Sequence, residues 1–217
     1  MYTSTLSSAL ALLLATATAS PLTRLTPRTN DLTAASLLTI APKSNSCPAA
    51  GAKYANECRT AAQALAPIQA SFQTYKITDP ATQAAVISTI AFESGDFKYA
   101  IHHFPSDNPG QGTRNMQSAK FNEQYADSIP ELKGAVAGAK AAGPNGIVNL
   151  LVHYADYDFG SAAWFLTSQC EKGVVEGLKK PGDAAFKAYL GCIGTSPTDD
   201  RSQYYKRALA AYGLKSS

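Results

Sequence analysis

Segments with helical patterns, separated by glycine and proline, are the feature that most constrains the fold of this chain. The clearest segment begins at Asp79 and Pro80, an N-cap residue followed by a proline at the first helical position, and Gly95 stops it. Pro67 is expected to kink or break the preceding helical segment. Further helical patterns lie at residues 131–142, 147–154, 161–169, 182–190 and 199–211. Strand-length alternation is missing, and only residues 98–116 suit a small hairpin, so we predict a mainly α single domain.

The first 46 residues differ in composition from the rest. Residues 1–19 combine an apolar run with a final Ala-Thr-Ala, which is typical of a cleaved secretory signal, although a basic start is lacking. This run is too short to span a bilayer. Residues 20–46 are rich in Ser, Thr, Pro and Leu and predict a pro-segment or disordered arm. We therefore expect a secreted, soluble protein whose folded domain occupies residues 47–217.

Four cysteines follow the predicted signal: Cys47, Cys58, Cys170 and Cys192. In an oxidising compartment an even number of cysteines at such spacings predicts two disulfides. Three pairings are possible, and we prefer the local one because each bridge then closes a short loop. A zinc site is the alternative, but no two of these cysteines have the close spacing of a structural zinc site.

Composition and charge exclude several classes of partner. The 217 residues are 45% apolar, enough for one core, and their net charge of +3 is scattered along the chain. Without a basic stripe or interleaved aromatic motif, nucleic-acid binding has little support. No membrane partner and no cofactor are implied, and a monomer is the default expectation.

Two further groups of residues are assigned to structure rather than to chemistry. His102, His103 and His153 lack the spaced carboxylate that would favour a metal site. Trp164 and Phe165 are expected in the core of a late helix.

Glu93 stands out because it continues the apolar stripe of the helix predicted at residues 80–94. Val86, Ile90 and Glu93 fall at positions i, i+4 and i+7 of one helical face. Partial burial and the negative end of the helix dipole would both favour the protonated carboxyl, as a general acid requires. The alternative is that Glu93 turns outward or pairs with a cation such as Arg114.

The loop after this helix has the composition of a sugar-binding surface. Residues 110–117 offer amides, a hydroxyl and a guanidinium around glycines that permit close approach of a ligand. Tyr99, His102, His103 and Phe104 add flat faces. These groups suit an uncharged polyhydroxylated substrate better than a phosphate.

Glu93-Ser94 followed by Met116-Gln117 resembles the lysozyme-like superfamily, which includes goose-type lysozymes and lytic transglycosylases. The longer motifs FESGDFKY, PGQGTRNMQ and DFGSAAWFLTSQC resemble a group of secreted fungal proteins that includes cell-wall muramidases. This second resemblance covers most of the chain from about residue 47 to residue 212. It implies an α+β lysozyme-like fold, with a loop or hairpin region after the catalytic helix.

The resemblance implies that Glu93 is the general acid that protonates the glycosidic oxygen. Asn115 stands where the family pattern has a glycine, which is a departure within the predicted cleft. The loop and the resemblance together predict substrate contacts from Tyr99, His103, Gln111, Thr113, Arg114, Asn115 and Gln117.

Glycosidases generally use a second carboxylate. The candidates are Asp96, Asp107, Asp156 and Asp158. Asp107 lies in an ordinary turn sequence, and Asp156 and Asp158 also suit the N-cap of a helix. Asp158 is preferred because it opens one of the shared motifs. A mechanism with a single glutamate, assisted by the substrate's N-acetyl group, remains open.

These observations predict a secreted glycoside hydrolase that cleaves the bond between N-acetylmuramic acid and N-acetylglucosamine in peptidoglycan. Its expected partner is peptidoglycan or a related amino-sugar polysaccharide. The alternatives are a chitin or chitosan hydrolase, and a non-catalytic carbohydrate-binding or interaction protein with a lysozyme-like cleft.

Overall fold

A computed structural model describes residues 32–215 as one mainly helical domain. Ten α-helices occur within these residues: α1 Ala34–Ile40, α2 Ala61–Thr74, α3 Pro80–Glu93, α4 Ala119–Asp127, α5 Val136–Ala141, α6 Gly146–His153, α7 Ala155–Gln169, α8 Lys172–Gly177, α9 Asp183–Cys192 and α10 Asp199–Ala211. Short 3₁₀ turns lie at Pro42–Asn45 and Pro130–Leu132. The mainly α prediction is confirmed.

Helix α3 is the central element of the fold. The Asp79 side chain accepts hydrogen bonds from the backbone N–H groups of Ala81 and Thr82, both at 3.0 Å. Gly95 follows the helix with a φ of +59°, a backbone conformation that glycine adopts without cost. The α3 residues Val86, Ile87 and Ile90 are fully buried, and the helix packs against α10 and α7. Local signals predicted its two ends correctly.

The other predicted helices agree with the structure to different degrees. Segment 199–211 coincides with α10, whereas α7 begins six residues before the predicted 161–169. Asp156 and Asp158 therefore lie in the first turn of α7 and do not cap it. Pro67 does not end α2, which continues to Thr74 with the proline buried. The predicted hairpin region contains two isolated bridges, which pair Gly112 with Ile101 and with Gln117.

The folded domain starts before Cys47, so the boundary predicted at residue 47 is too late. The Thr33 side chain caps α1 by accepting from the backbone N–H of Ser36, in a capping box. Leu37 and Ile40 on α1 are fully buried, and α1 packs against α10 and α2. Residues 32–46 thus belong to the folded domain, and Leu32, Leu37, Ile40 and Ala41 are part of its core. The predicted signal segment lies outside the described residues.

Two apolar clusters share helix α7. The larger one joins residues of α1, α2, α3, α7, α9 and α10. The smaller one, around Tyr125, Trp164 and Phe165, joins α4, α6 and the other face of α7. The expected core position of Trp164 and Phe165 is therefore confirmed.

The disulfides Cys47–Cys58 and Cys170–Cys192 form the local pairing preferred from the sequence. Within residues 32–215, no helix is long and apolar enough to cross a membrane.

Candidate functional site

Glu93, the last residue of α3, forms an ion pair with Arg201 of α10. Its side chain is 18% exposed. The Arg201 guanidinium also lies 4.2 Å from the centre of the Phe92 ring, which adds a cation–π contact. The alternative in which Glu93 pairs with a cation is therefore the observed one. The partner is Arg201 and not Arg114.

A small cleft of about 180 Å³ opens beside Glu93. Two predicted contact residues, Tyr99 and His103, line it together with Ile101, His102, Phe104 and Met116. The Nδ1 atom of His102 is buried and has no hydrogen-bond partner among the described residues. This cleft is smaller than the roughly 300–1,000 Å³ typical of small-molecule sites.

His103 connects its loop to Tyr54 and Glu57. Its Nε2 lies 2.7 Å from Oε1 of Glu57, and its ring stacks on Tyr54 with centroids 3.7 Å apart. The other Glu57 oxygen accepts from the backbone N–H groups of Ala100 and Ile101, at 2.8 and 3.0 Å. His103 thus has a structural role at the edge of the cleft.

Arg114 and Asp158 form a fully buried ion pair, which places both out of reach of a ligand. The Arg114 Nε donates to both Asp158 oxygens at 3.0 Å, and its Nη2 donates to Oδ2 at 2.7 Å. The guanidinium also donates to the carbonyls of Phe97, Tyr99 and Glu57. Burial raises the pKa of Asp158, and the Arg114 charge opposes that shift. The sequence prediction of a catalytic Asp158 and a substrate-binding Arg114 conflicts with this geometry.

The remaining predicted contacts belong to a folded loop whose polar groups bond mainly to one another. Gln111 donates to the carbonyl of Met116 at 2.7 Å. Asn115 donates to Gln117 at 3.1 Å and accepts from Ser161 at 2.9 Å. Gln117 in turn donates to Asn122 of α4 at 2.9 Å.

Tight packing at Gly112 holds this loop together. A Cβ there would lie 2.3 Å from the carbonyl oxygen of Ala100. Thr113 is fully buried, and its hydroxyl has no partner among the described residues. The side chains of Gln111, Thr113, Asn115 and Gln117 therefore do not line the Glu93 cleft. They lie within the folded loop beside it.

None of the four aspartates considered as a second acid lines the Glu93 cleft. Asp96 is buried, accepts from the backbone N–H of Lys43 at 2.8 Å and is bonded by the Tyr204 hydroxyl. Asp107 is exposed, and its carboxylate lies 3.7 Å from Nδ1 of His103. Asp156 is exposed and lines a different cavity.

That cavity has a volume of about 580 Å³ and lies between α2, α4, α7 and the Pro130–Leu132 turn. We call it the tyrosine pocket. Its lining consists of aromatic rings, small polar residues, a few apolar groups and two carboxylates: Ala70, Ser71, Thr74, Tyr75, Tyr125, Ser128, Ile129, Pro130, Glu131, Asp156, Tyr157, Trp164 and Ser168.

Tyr125 forms the inner wall of the tyrosine pocket. It is 1% exposed, and its ring lies 5.1 Å from that of Trp164. Burial raises the pKa of Tyr125 well above its ordinary value and also raises that of Tyr75. Both phenols are therefore neutral at physiological pH. Gly160 makes room for the Tyr125 hydroxyl, because a Cβ there would lie 2.5 Å from it.

Sequence reasoning missed this pocket. Tyr75 follows α2, Tyr125 is on α4, and Tyr157 and Trp164 are on α7, so no single motif contains them. The signal in the sequence was the tyrosine near the Trp164 helix. Trp164 was predicted only as a core residue, and Asp156 only as a second acid or a helix cap.

Comparison with known proteins identifies one relative and no family. A bifunctional dioxygenase (DOX)-epoxy alcohol synthase (EAS) from Fusarium oxysporum (strain Fo5176) is 42% identical over 158 residues. The match covers 70% of this chain and 12% of the relative, so the chain spans about an eighth of that protein. No protein-family model and no solved structure matches the chain.

This likeness contradicts the predicted function. The relative is named for a dioxygenase and an epoxy alcohol synthase, whereas the sequence had predicted a glycoside hydrolase of the muramidase type. That prediction is wrong on this finding, and its carbohydrate-directed alternatives and the general-acid role of Glu93 fall with it. The expected partner, an amino-sugar polysaccharide, stays a prediction. What the comparison supplies is similarity to one segment of a much longer protein with other named activities.

Proposed function

We propose that this chain is a small-molecule-binding module whose site is the tyrosine pocket. The carrying observation is the cavity itself, because about 580 Å³ lies within the usual size range for such sites. Its walls combine four aromatic rings with hydroxyl groups and two carboxylates that can orient a ligand. The Glu93 cleft has about 180 Å³, and its carboxylate is held by Arg201.

The Fusarium relative suggests how such a module is used within a longer protein. The described residues form one domain with its own core and two disulfides, and the matched stretch is 12% of the Fusarium protein. We infer that the matched stretch is a separate domain in that protein, and that the two named activities reside elsewhere in it. In such a protein a binding module would hold a small molecule close to a linked enzyme.

Secretion and a lysozyme-like architecture are two further proposals, independent of any activity. The signal-like residues 1–19 and the two disulfides support secretion, since disulfides persist in oxidising compartments. The motif resemblance supports the architecture. Expression of the full chain in yeast tests secretion, because a secreted protein accumulates in the medium with its leader removed.

Trp164 provides a direct test of binding, because it is the chain's single tryptophan and lines the tyrosine pocket. A library of soluble aromatic, amine and carboxylic-acid fragments is titrated while the Trp164 fluorescence and indole N–H chemical shift are followed. We expect some fragments to bind with saturation.

A pair of matched variants locates that binding. Ala70→Leu adds bulk at the pocket wall, and Ala62→Leu makes the same change at an exposed position of the same helix. Binding should be lost in Ala70→Leu and kept in Ala62→Leu. Fragments that bind both variants equally, or no binding at all, would overturn the proposal.

A further inference from the structure

We infer that the tyrosine pocket selects organic cations, namely small ammonium compounds. This inference rests on the proposed function, because it names the class of ligand for the same pocket. Three features of the lining support it: its charge, its aromatic faces and the polarity of its hydroxyl groups.

The pocket is locally negative in a chain that is positive as a whole. Glu131 and Asp156 are exposed at its rim, and none of its lining residues is a lysine, arginine or histidine. The whole chain carries a formal charge of +3. The negative lining is thus a local feature that attracts cations and repels anions.

Four aromatic rings line the pocket, and ring faces attract cations. These rings belong to Tyr75, Tyr125, Tyr157 and Trp164. A cation over the face of a tyrosine or tryptophan is attracted by the ring's quadrupole, and a group of such rings is the usual way to recognise an ammonium group.

The protein's own cations lie over other rings. In the part of the chain that the structure describes, guanidinium groups lie over Phe92, Phe159 and Tyr204, and a lysine lies over Tyr54. No such contact involves a ring of the tyrosine pocket among these residues. The partly exposed Tyr75 and Tyr157 rings therefore carry none of the protein's own cations in that part of the chain, whereas Tyr125 and Trp164 are almost fully buried and pack on one another.

Two of the three serine hydroxyl groups in the pocket lining have their hydrogens engaged elsewhere. Ser71 donates to the carbonyl of Ile68 at 2.7 Å, and Ser128 donates to the carbonyl of Tyr125 at 2.7 Å. Each hydroxyl then has only acceptor lone pairs to offer to the cavity. An ammonium N–H can donate to such oxygens, whereas a carboxylate or phosphate would need donors.

Choline and 3,3-dimethyl-1-butanol give a matched test, because the second has nearly the shape of the first without its charge. Both are titrated into the full chain while the Trp164 indole signal is followed. We expect choline to bind about tenfold more tightly or better, as a desolvated cation–π site implies. Equal binding of the two probes would overturn the inference and leave the proposed function standing.

Variants of Glu131 and Asp156 test whether these two carboxylates contribute to the preference for cations. Glu131→Gln with Asp156→Asn should reduce the preference for choline severalfold. The control pair Glu176→Gln with Asp200→Asn removes the same charge at exposed positions outside the pocket and should leave that preference unchanged. An equal loss in both pairs would mean non-specific attraction and would overturn the inference.

The two proposals fail in different ways. If neither probe binds at millimolar concentration while other fragments bind in a manner sensitive to Ala70→Leu, the cation inference is wrong and the binding module stands. If nothing binds in either experiment, both proposals are wrong.

Discussion

Replacing Gly160 by alanine should destabilise the protein when Tyr125 is present and stabilise it when Tyr125 is replaced by phenylalanine. Gly160 lies inside α7, where an exposed glycine-to-alanine change stabilises a helix by about 1 kcal/mol. Here the new Cβ would lie 2.5 Å from the Tyr125 hydroxyl oxygen and 3.7 Å from the ring carbon that bears it. The first distance is a clash, and the second is an ordinary contact.

The cost follows from how tightly Tyr125 is held. It is 1% exposed and packs on Trp164, so the ring cannot move away without disturbing the core. Overpacking of this kind costs roughly 1–3 kcal/mol. After subtraction of the helix gain, we expect Gly160→Ala to destabilise the protein by about 1 kcal/mol. In a Tyr125→Phe background the clash disappears, and the same change should stabilise by up to about 1 kcal/mol.

The assay is a double-mutant cycle of guanidinium unfolding curves, followed by far-ultraviolet circular dichroism with the disulfides intact. The coupling free energy between the two sites should be about 2 kcal/mol, within the range for residues in contact. Gly138→Ala is the matched control, because it lies in α5 with nothing within 4 Å of the added Cβ. If Gly160→Ala had the same sign and size in both backgrounds, the packing argument for Tyr125 would be refuted.

Three further predictions concern stability. Asp158→Asn leaves the Arg114 charge buried without its partner, so the free energy of unfolding should fall by about 3–5 kcal/mol; a fall below about 1 kcal/mol in denaturant curves would contradict this. Burial raises the pKa of Tyr189 and Tyr212, so their contribution is complete below pH about 10 and is lost as pH rises further, by roughly 1 kcal/mol each at pH 11. The free energy of unfolding from denaturant curves should therefore fall between about pH 9 and pH 11, and the fall should be smaller in the Tyr189→Phe and Tyr212→Phe variants; an equal fall in those variants would contradict it. Replacing both cysteines of the Cys170–Cys192 disulfide by serine, which opens a loop with a sequence separation of 22, should cost about 3 kcal/mol; an unchanged denaturation midpoint would count against that value.

Local signals predicted the parts of the fold that depend on neighbouring residues. The Asp79 cap and the Gly95 stop placed α3 to within one residue, and the pattern at 199–211 coincided with α10. The short disulfide loops were also anticipated. Caps, breakers and periodicity act over a few residues, and they are therefore visible in the sequence without knowledge of the packing.

Composition misjudged two segments whose structure depends on packing. Residues 32–46 were predicted as an arm, but Leu37 and Ile40 are buried because α10 and α2 provide apolar surface for them. Pro67 was expected to kink or break the α2 segment, yet this helix runs without a break from Ala61 to Thr74, and the proline is buried. In the first case tertiary contacts outweighed a weak local preference, and in the second they offset the roughly 3 kcal/mol by which proline disfavours a helix interior.

The chemistry of the polar residues was decided by partners far along the chain. Glu93 pairs with Arg201, which is 108 positions away, and Arg114 pairs with Asp158, 44 positions away. The sequence identified these side chains as unusual, but it contained no information on which cation would meet which carboxylate. Glu93, predicted as a proton donor, is therefore one member of an ion pair. Arg114, predicted to contact a ligand, is buried in another ion pair.

The sequence by itself determined a mainly helical, disulfide-bonded domain and the two ends of α3, because helix periodicity and capping are local properties. Only the tertiary structure decided where a ligand has room to bind. The tyrosine pocket exists because α2, α4 and α7 bring Tyr75, Tyr125 and Trp164 together, and because Gly160 leaves space for one phenol. A cavity is a property of surfaces that meet across the fold, and its shape and charge arise only when distant helices pack.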